Sequence, residues 1–152
     1  MATLHLALWA TALSREDLSN AVVHAAVCSF YNWAGCAIGG SNELATRIAY
    51  DSLSPFCGAE TSCLLGYQGR LRTDAQLAAL INGIASHAHD YDDTHPRSLI
   101  HPSAPVCSAL LAYSGWKRPV SGPDFLVALV AGIEAECKVG LAVTPAHYDK
   151  GW

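Results

Sequence analysis

From Leu18 to Asn42 the chain carries no Asp, Glu, Lys or Arg. Within that stretch Val22, Val23, Ala26, Val27, Phe30, Trp33 and Ala34 recur at helical spacing and leave almost no polar face. A helix of this kind belongs either in a bilayer or in a packed interior. His24, Ser29, Asn32 and several glycines interrupt it. These suit burial among other helices better than lipid, so no membrane association is expected.

The composition agrees with one packed domain. At 152 residues the chain is about one domain long, and it can bury a core without metal or disulfide staples. Hydrophobic residues make up 51%, which excludes disorder. Nine Lys and Arg against thirteen Asp and Glu give a net charge of −4 with no basic cluster, which argues against nucleic acid as a partner. Charged residues are 14% against about 25% in an average soluble domain. Part of the surface is therefore expected to be covered by a second subunit, a partner or further chain.

Of the six cysteines, four lie in apolar helical stretches, where a thiol packs as a small hydrophobe. No CxxC pair is present, so a zinc ribbon is excluded. Reduced thiols place the protein inside the cell, in the cytoplasm, with the mitochondrion as the alternative. The apolar run up to Ala12 precedes the first positive charge, Arg15, so it lacks the basic start of a signal peptide and reads as a short amphipathic helix.

Cap residues divide the remainder into helices. Ser14 with Glu16 and Asp17 predicts a helix start leading into the apolar stretch, which Gly39-Gly40 ends. Ser41 to Glu43 opens a second helix, stopped by Ser54-Pro55. Cys57 to Arg72 is a glycine-rich loop with one short strand expected near residues 63–66. Thr73-Asp74-Ala75-Gln76 reads as a capping box for a helix running to about His89. Further helices are expected from Pro102 to Tyr113, closed by Ser114-Gly115, and from Ser121 through Leu141. The sum is an all-α bundle of about six helices.

Between two of these helices lies a segment unlike the rest. His87, His89, Asp90, Asp92, Asp93, His95 and His101 fall within fifteen positions of a chain otherwise poor in charge. A solvated loop is the plain alternative. Against it stand the density of titratable groups and the apolar helices at both ends. Asp90 falls at the C-terminal end of one helix, a candidate acid, base or hydrogen-bond donor. His101 and Ser103 fall at the N-terminal end of the next, where free backbone N–H groups favour anions. A substrate carboxylate is expected on that N-terminus, contacted by Ser103 and Thr94, with His101 handling a proton. Alternatively, Ser103 is an N-cap and His101 an oriented structural histidine.

Metal binding is the competing idea, since His and Asp ligate zinc, iron and manganese. His89-Asp90 invites comparison with HD-type phosphohydrolases, with Asp124 or Asp149 as the later ligand. A histidine-aspartate dipeptide alone is weak support for that class, and Tyr91 breaks the metallo-β-lactamase pattern.

Several motifs stand in order along the chain: Asn82-Gly83; His87, Asp90, Tyr91, Asp92, Asp93 and Thr94; His101-Pro102-Ser103; Gly132, Glu134, Lys138 and Gly140; and His147 to Trp152. At these residues the chain resembles the MmgE/PrpD family of 2-methylcitrate dehydratases and their relatives. The resemblance implies a partial helical domain over residues 1–152 of a larger lyase that also has an α/β domain. It implies a homodimer with no metal and no organic cofactor. The reaction would be proton transfer next to a carboxylate of a small di- or tricarboxylate, ending in loss of water, loss of CO₂ or epimerisation. Asp90, Thr94 and His101 are the matching site positions, with Asp92 ranked below them. Arg97 is the cation in the loop and, with Thr94 and Ser103, an expected substrate contact. The family's later histidine, lysines and tyrosine have no counterpart before Trp152, so an inactive fragment is expected. A catalytically dead helical association module is the alternative.

Overall fold

The computed structural model describes residues 2–67, 70–117 and 120–151. Six helices of ten residues or more carry the architecture: α1 (Ala2–Ala12), α2 (Asn20–Gly40), α3 (Leu44–Leu53), α4 (Ala75–His87), α5 (Ser103–Trp116) and α6 (Gly122–Val143). A four-residue α7 (Ala146–Asp149) follows, and two short strands, β1 (Ser62–Cys63) and β2 (Arg72–Thr73), pair antiparallel with Ser62 opposite Thr73. The all-α expectation stands.

α4 is the central helix, packed against α2, α3 and α5. Its Leu77, Ala78 and Ile81 join Leu64 and Ala112 in one buried cluster, while Ala26, Trp33, Cys107 and Leu129 form a second between α2, α5 and α6. Small residues set the close crossings. A Cβ on Gly40 would stand 2.1 Å from the Ala85 carbonyl oxygen of α4, so no larger residue lets α2 lie this near. Several buried polar side chains tie the bundle together. The Trp33 indole N–H donates to Ser108 Oγ at 3.1 Å. Asn82 ties the β1 loop to α4, accepting from Leu65 N at 2.9 Å and donating to the Cys63 carbonyl at 3.1 Å.

Several boundaries differ from the sequence reading. Ser14 heads only a 3₁₀ turn, Arg15–Asp17. The cap of α2 is Ser19, whose Oγ accepts from Val22 N, because the chain must break to bury Leu18. The strand expected at 63–66 lies at 62–63. Its partner β2 takes Thr73, so the α4 cap passes to Asp74, which accepts from the N–H groups of Gln76 and Leu77 at 3.0 Å. α5 continues past Ser114-Gly115 to Trp116. α1 forms, yet none of its residues is buried, so its apolar side chains do not sort into a covered face. α2 is long and apolar enough to cross a membrane by length and composition. Here it buries one stripe, Ala26, Trp33, Ala37 and Gly40, and leaves Tyr31 and Ile38 exposed.

Candidate functional site

The polar segment spans the gap between the end of α4 and the start of α5, and α2 pins it from the side. Asn32 Nδ2 donates to the Tyr91 carbonyl at 3.1 Å, and Ser29 Oγ donates to Asp93 Oδ2 at 3.1 Å. The turn out of α4 needs a left-handed residue, and Asp90 supplies it at φ 56°, a conformation Asp tolerates better than most side chains. Further on, His95 N donates to the Ile100 carbonyl at 2.8 Å and His95 Nδ1 meets Ser98 Oγ. That closes a tight loop with Arg97 on its exposed outside and returns the chain to His101.

These constraints gather four side chains. His87 Nδ1 hydrogen-bonds Asp92 Oδ1 at 2.9 Å. His101 Nδ1 lies 3.4 Å from that same oxygen, and its Nε2 lies 3.6 Å from Asp90 Oδ1. The two imidazoles meet edge to face, 4.6 Å between centroids. Asp92 lies at the bottom with its side chain wholly buried, His101 is a quarter exposed, and His87 and Asp90 are open to solvent. Asp92 Oδ2, His101 Nδ1 and Ser103 Oγ are buried without a hydrogen-bond partner among the described residues. Among the same residues no Lys or Arg pairs with Asp90, Asp92 or Asp93.

The structure places the two residues named from sequence as catalytic candidates, Asp90 and His101, 3.6 Å apart. Thr94 and Arg97 are exposed on the loop above. Ser103 is fully buried, and its N–H donates to Asp93 Oδ1 at 3.1 Å. The α5 N-terminus, where the sequence places a substrate carboxylate, therefore already holds a carboxylate of the chain itself. Three participants escape the sequence reading: Asp92 as the buried centre, His87 as the second imidazole, and Asp93 as the anion on α5. Their motif is visible, but their roles depend on the turn at Asp90. The HD-type arrangement does not form: His89 turns to Glu43 at 3.7 Å, and Asp124 accepts from Ser121 Oγ at the head of α6.

The field of this acidic pocket reaches its neighbours. Burial, then the charge of Asp93, pushes the Glu136 carboxyl up to about 6. Burial, then Asp92 and Asp93, raises the Cys36 thiol. Burial, then Asp93, pushes Cys107 up to about 12, which makes that thiol inert.

Residues 4–152 match the MmgE/PrpD N-terminal domain. The cis-aconitate decarboxylase-like protein oryM of Aspergillus oryzae is 30% identical over 99% of this chain and 32% of its own length. The cis-aconitate decarboxylase of Aspergillus terreus is 24% identical over 99% of this chain and 31% of its own. The human cis-aconitate decarboxylase is 40% identical over 45% of this chain and 15% of its own. This chain thus spans about a third of the length of the two fungal relatives. A profile match over almost every residue, on the helical architecture just described, leads to one conclusion: the chain belongs to the MmgE/PrpD family.

Proposed function

We propose that this chain supplies the proton-transfer part of a lyase acting on a small di- or tricarboxylate, with decarboxylation of a cis-aconitate-like substrate the best-supported reaction. The observation that carries this reading is the Asp90–His101–Asp92 arrangement. One imidazole stands between a wholly buried carboxylate on its Nδ1 side and an exposed one on its Nε2 side. Decarboxylation leaves a carbanion that must take up a proton, and dehydration or epimerisation begins by removing one. Each needs a group that exchanges a proton at a fixed position next to a carboxylate. Asp92 holds the inner edge of the ring, and the outer edge faces Asp90 and substrate. His87, bonded to Asp92, buttresses the pair. Thr94 and Arg97 meet the substrate carboxylates, and the buried Ser103 supports the loop. No metal or organic cofactor takes part in the step.

A tricarboxylate requires more positive charge than Arg97 provides. The 152-residue chain alone is therefore proposed to be inactive, and the active form to be a homodimer of a longer chain. The relatives' name, cis-aconitate decarboxylase, supports this choice of reaction. A chimera tests it: this chain in place of the matched third of the Aspergillus terreus enzyme, assayed for CO₂ release from cis-aconitate and for water loss from 2-methylcitrate. Turnover that falls about 10²–10⁴-fold on His101→Ala supports the reading. A folded chimera inert toward both substrates, or one indifferent to His101→Ala, overturns it.

A further inference from the structure

Two histidines and two aspartates face one another at the mouth of the loop, and their chemistry is that of a transition-metal shell. One ligand atom from each of His87, Asp90, Asp92 and His101 lies within 4.8 Å of all the others. Zinc bonds nitrogen and oxygen at about 2.0–2.2 Å, so ligand atoms in a tetrahedral shell stand about 3.3–3.5 Å apart. His87 Nδ1 lies 2.9 Å from Asp92 Oδ1 and 4.0 Å from Asp90 Oδ1, and His101 Nδ1 lies 3.4 Å from Asp92 Oδ1, a spread that small side-chain rotations bring to that value. Two further observations point to a cation. Asp92 is wholly buried at its side chain, and one of its oxygens lacks a partner, as does the buried Nδ1 of His101. Two carboxylates meet here with no Lys or Arg paired to either among the described residues, and a buried carboxylate is stable only when paired, bonded or bound to metal.

The geometry points to an inhibitory site for a zinc-class divalent cation, formed by His87, Asp90, Asp92 and His101. The two imidazoles select zinc, cobalt, nickel or copper over magnesium and calcium, which take oxygen shells. Binding needs no group transfer: the cation replaces the proton between His87 and Asp92, and that proton leaves to solvent. With Nδ1 on the cation, the His101 ring carries its hydrogen on Nε2 and cannot accept a substrate proton there, so the bound cation blocks proton transfer at this site. The site itself stands whether or not the lyase reading holds.

Cobalt(II) titration of the full chain tests the site without any assay of activity. The expected result is one equivalent bound, with the visible bands of a tetrahedral nitrogen and oxygen shell, no thiolate charge-transfer band, and displacement by zinc. His87→Gln and Asp90→Asn change solvent-exposed side chains, and each should weaken cobalt binding at least about tenfold, since losing even an outer-shell partner costs 10–100-fold. Thiolate bands that persist in both variants would assign the metal to the cysteines and overturn the proposal. So would the absence of any stoichiometric spectrum, or magnesium competing as well as zinc. If cobalt binds as expected and the chimera is inert, the lyase reading fails and this site remains.

Discussion

Asp93 holds Ser103: its Oδ1 accepts the Ser103 backbone N–H at 3.1 Å, at the first residue of α5. Its other oxygen accepts from Ser29 on α2 at 3.1 Å. One carboxylate thus fills the anion site of a helix N-terminus, ties two helices together and fixes where the loop bearing His101 ends. Asp93→Ala should cost about 1–2 kcal/mol in urea unfolding, the usual loss of a helix-capping side chain. Asp93→Asn keeps a carbonyl oxygen for the Ser103 N–H and turns the other oxygen into an amide NH2 that the Ser29 hydroxyl can accept from by rotating, so the main loss is the charge, about 0.3–1 kcal/mol. Equal losses from the two variants would show that charge, not hydrogen bonding, does the holding.

Glu136 gives the fold a pH dependence of definite sign. Its carboxyl is raised from 4.5 to about 6 by burial and then by Asp93. The folded state therefore keeps a proton that the unfolded state has given up, and stability falls as pH rises from about 4.5 to about 6. Glu136→Gln should stabilise the chain at pH 7 by up to about 1 kcal/mol, after discounting for the group's partial exposure. At pH 4 both states are protonated and the variant should match the parent. A stabilisation equal at both pH values would mean that Glu136 does not titrate in this way.

Within the chimera, Asp92 should matter more than the motif match suggests. It touches both imidazoles and cannot be reached by solvent. Asp92→Asn should lower kcat by about tenfold or more with KM little changed, the pattern of a group acting in the transition state. Arg97→Ala should raise KM and leave kcat nearly intact, as expected for a substrate contact. The reverse split would exchange the two roles.

The helices were legible because caps and breakers are local: Ser121 for α6, Ser54-Pro55 after α3, Gly39-Gly40 at the end of α2. Where two nearby residues both suit a cap, the choice is made by packing and pairing elsewhere in the fold. Burial of Leu18 moves the start of α2 from Ser14 to Ser19, and pairing of Thr73 with Ser62 hands the α4 cap to Asp74. The site follows the same rule. Asp90 and His101 could be named from their places at helix ends. Asp93 could not, because the bond that reveals its role joins it to Ser29, 64 positions earlier, on a helix that only the packed fold brings beside the loop.

The surface predicts self-association. The sequence suggested that α2 should be covered on every face, but the bundle covers one stripe of it, and Tyr31 and Ile38 remain 73% and 54% exposed. Leu44 and Ile48 on α3 are exposed as well. α1 and α6 line a further groove of about 620 Å³ with Leu6, Trp9, Val139 and Val143. Monomers seldom expose apolar patches beyond a few hundred Å², and a helix with apolar residues on an open face gains by meeting another. The chain should therefore sediment as a dimer or larger species at micromolar concentration and bind a hydrophobic dye. Ile38→Glu on α2 and Val139→Glu on α6 change exposed positions, so both variants should keep the parent's helical circular dichroism. The variant that lowers the sedimentation coefficient identifies which surface meets the second copy. A parent chain that stays monomeric and dye-free would contradict the prediction and mark these apolar residues as tolerated surface.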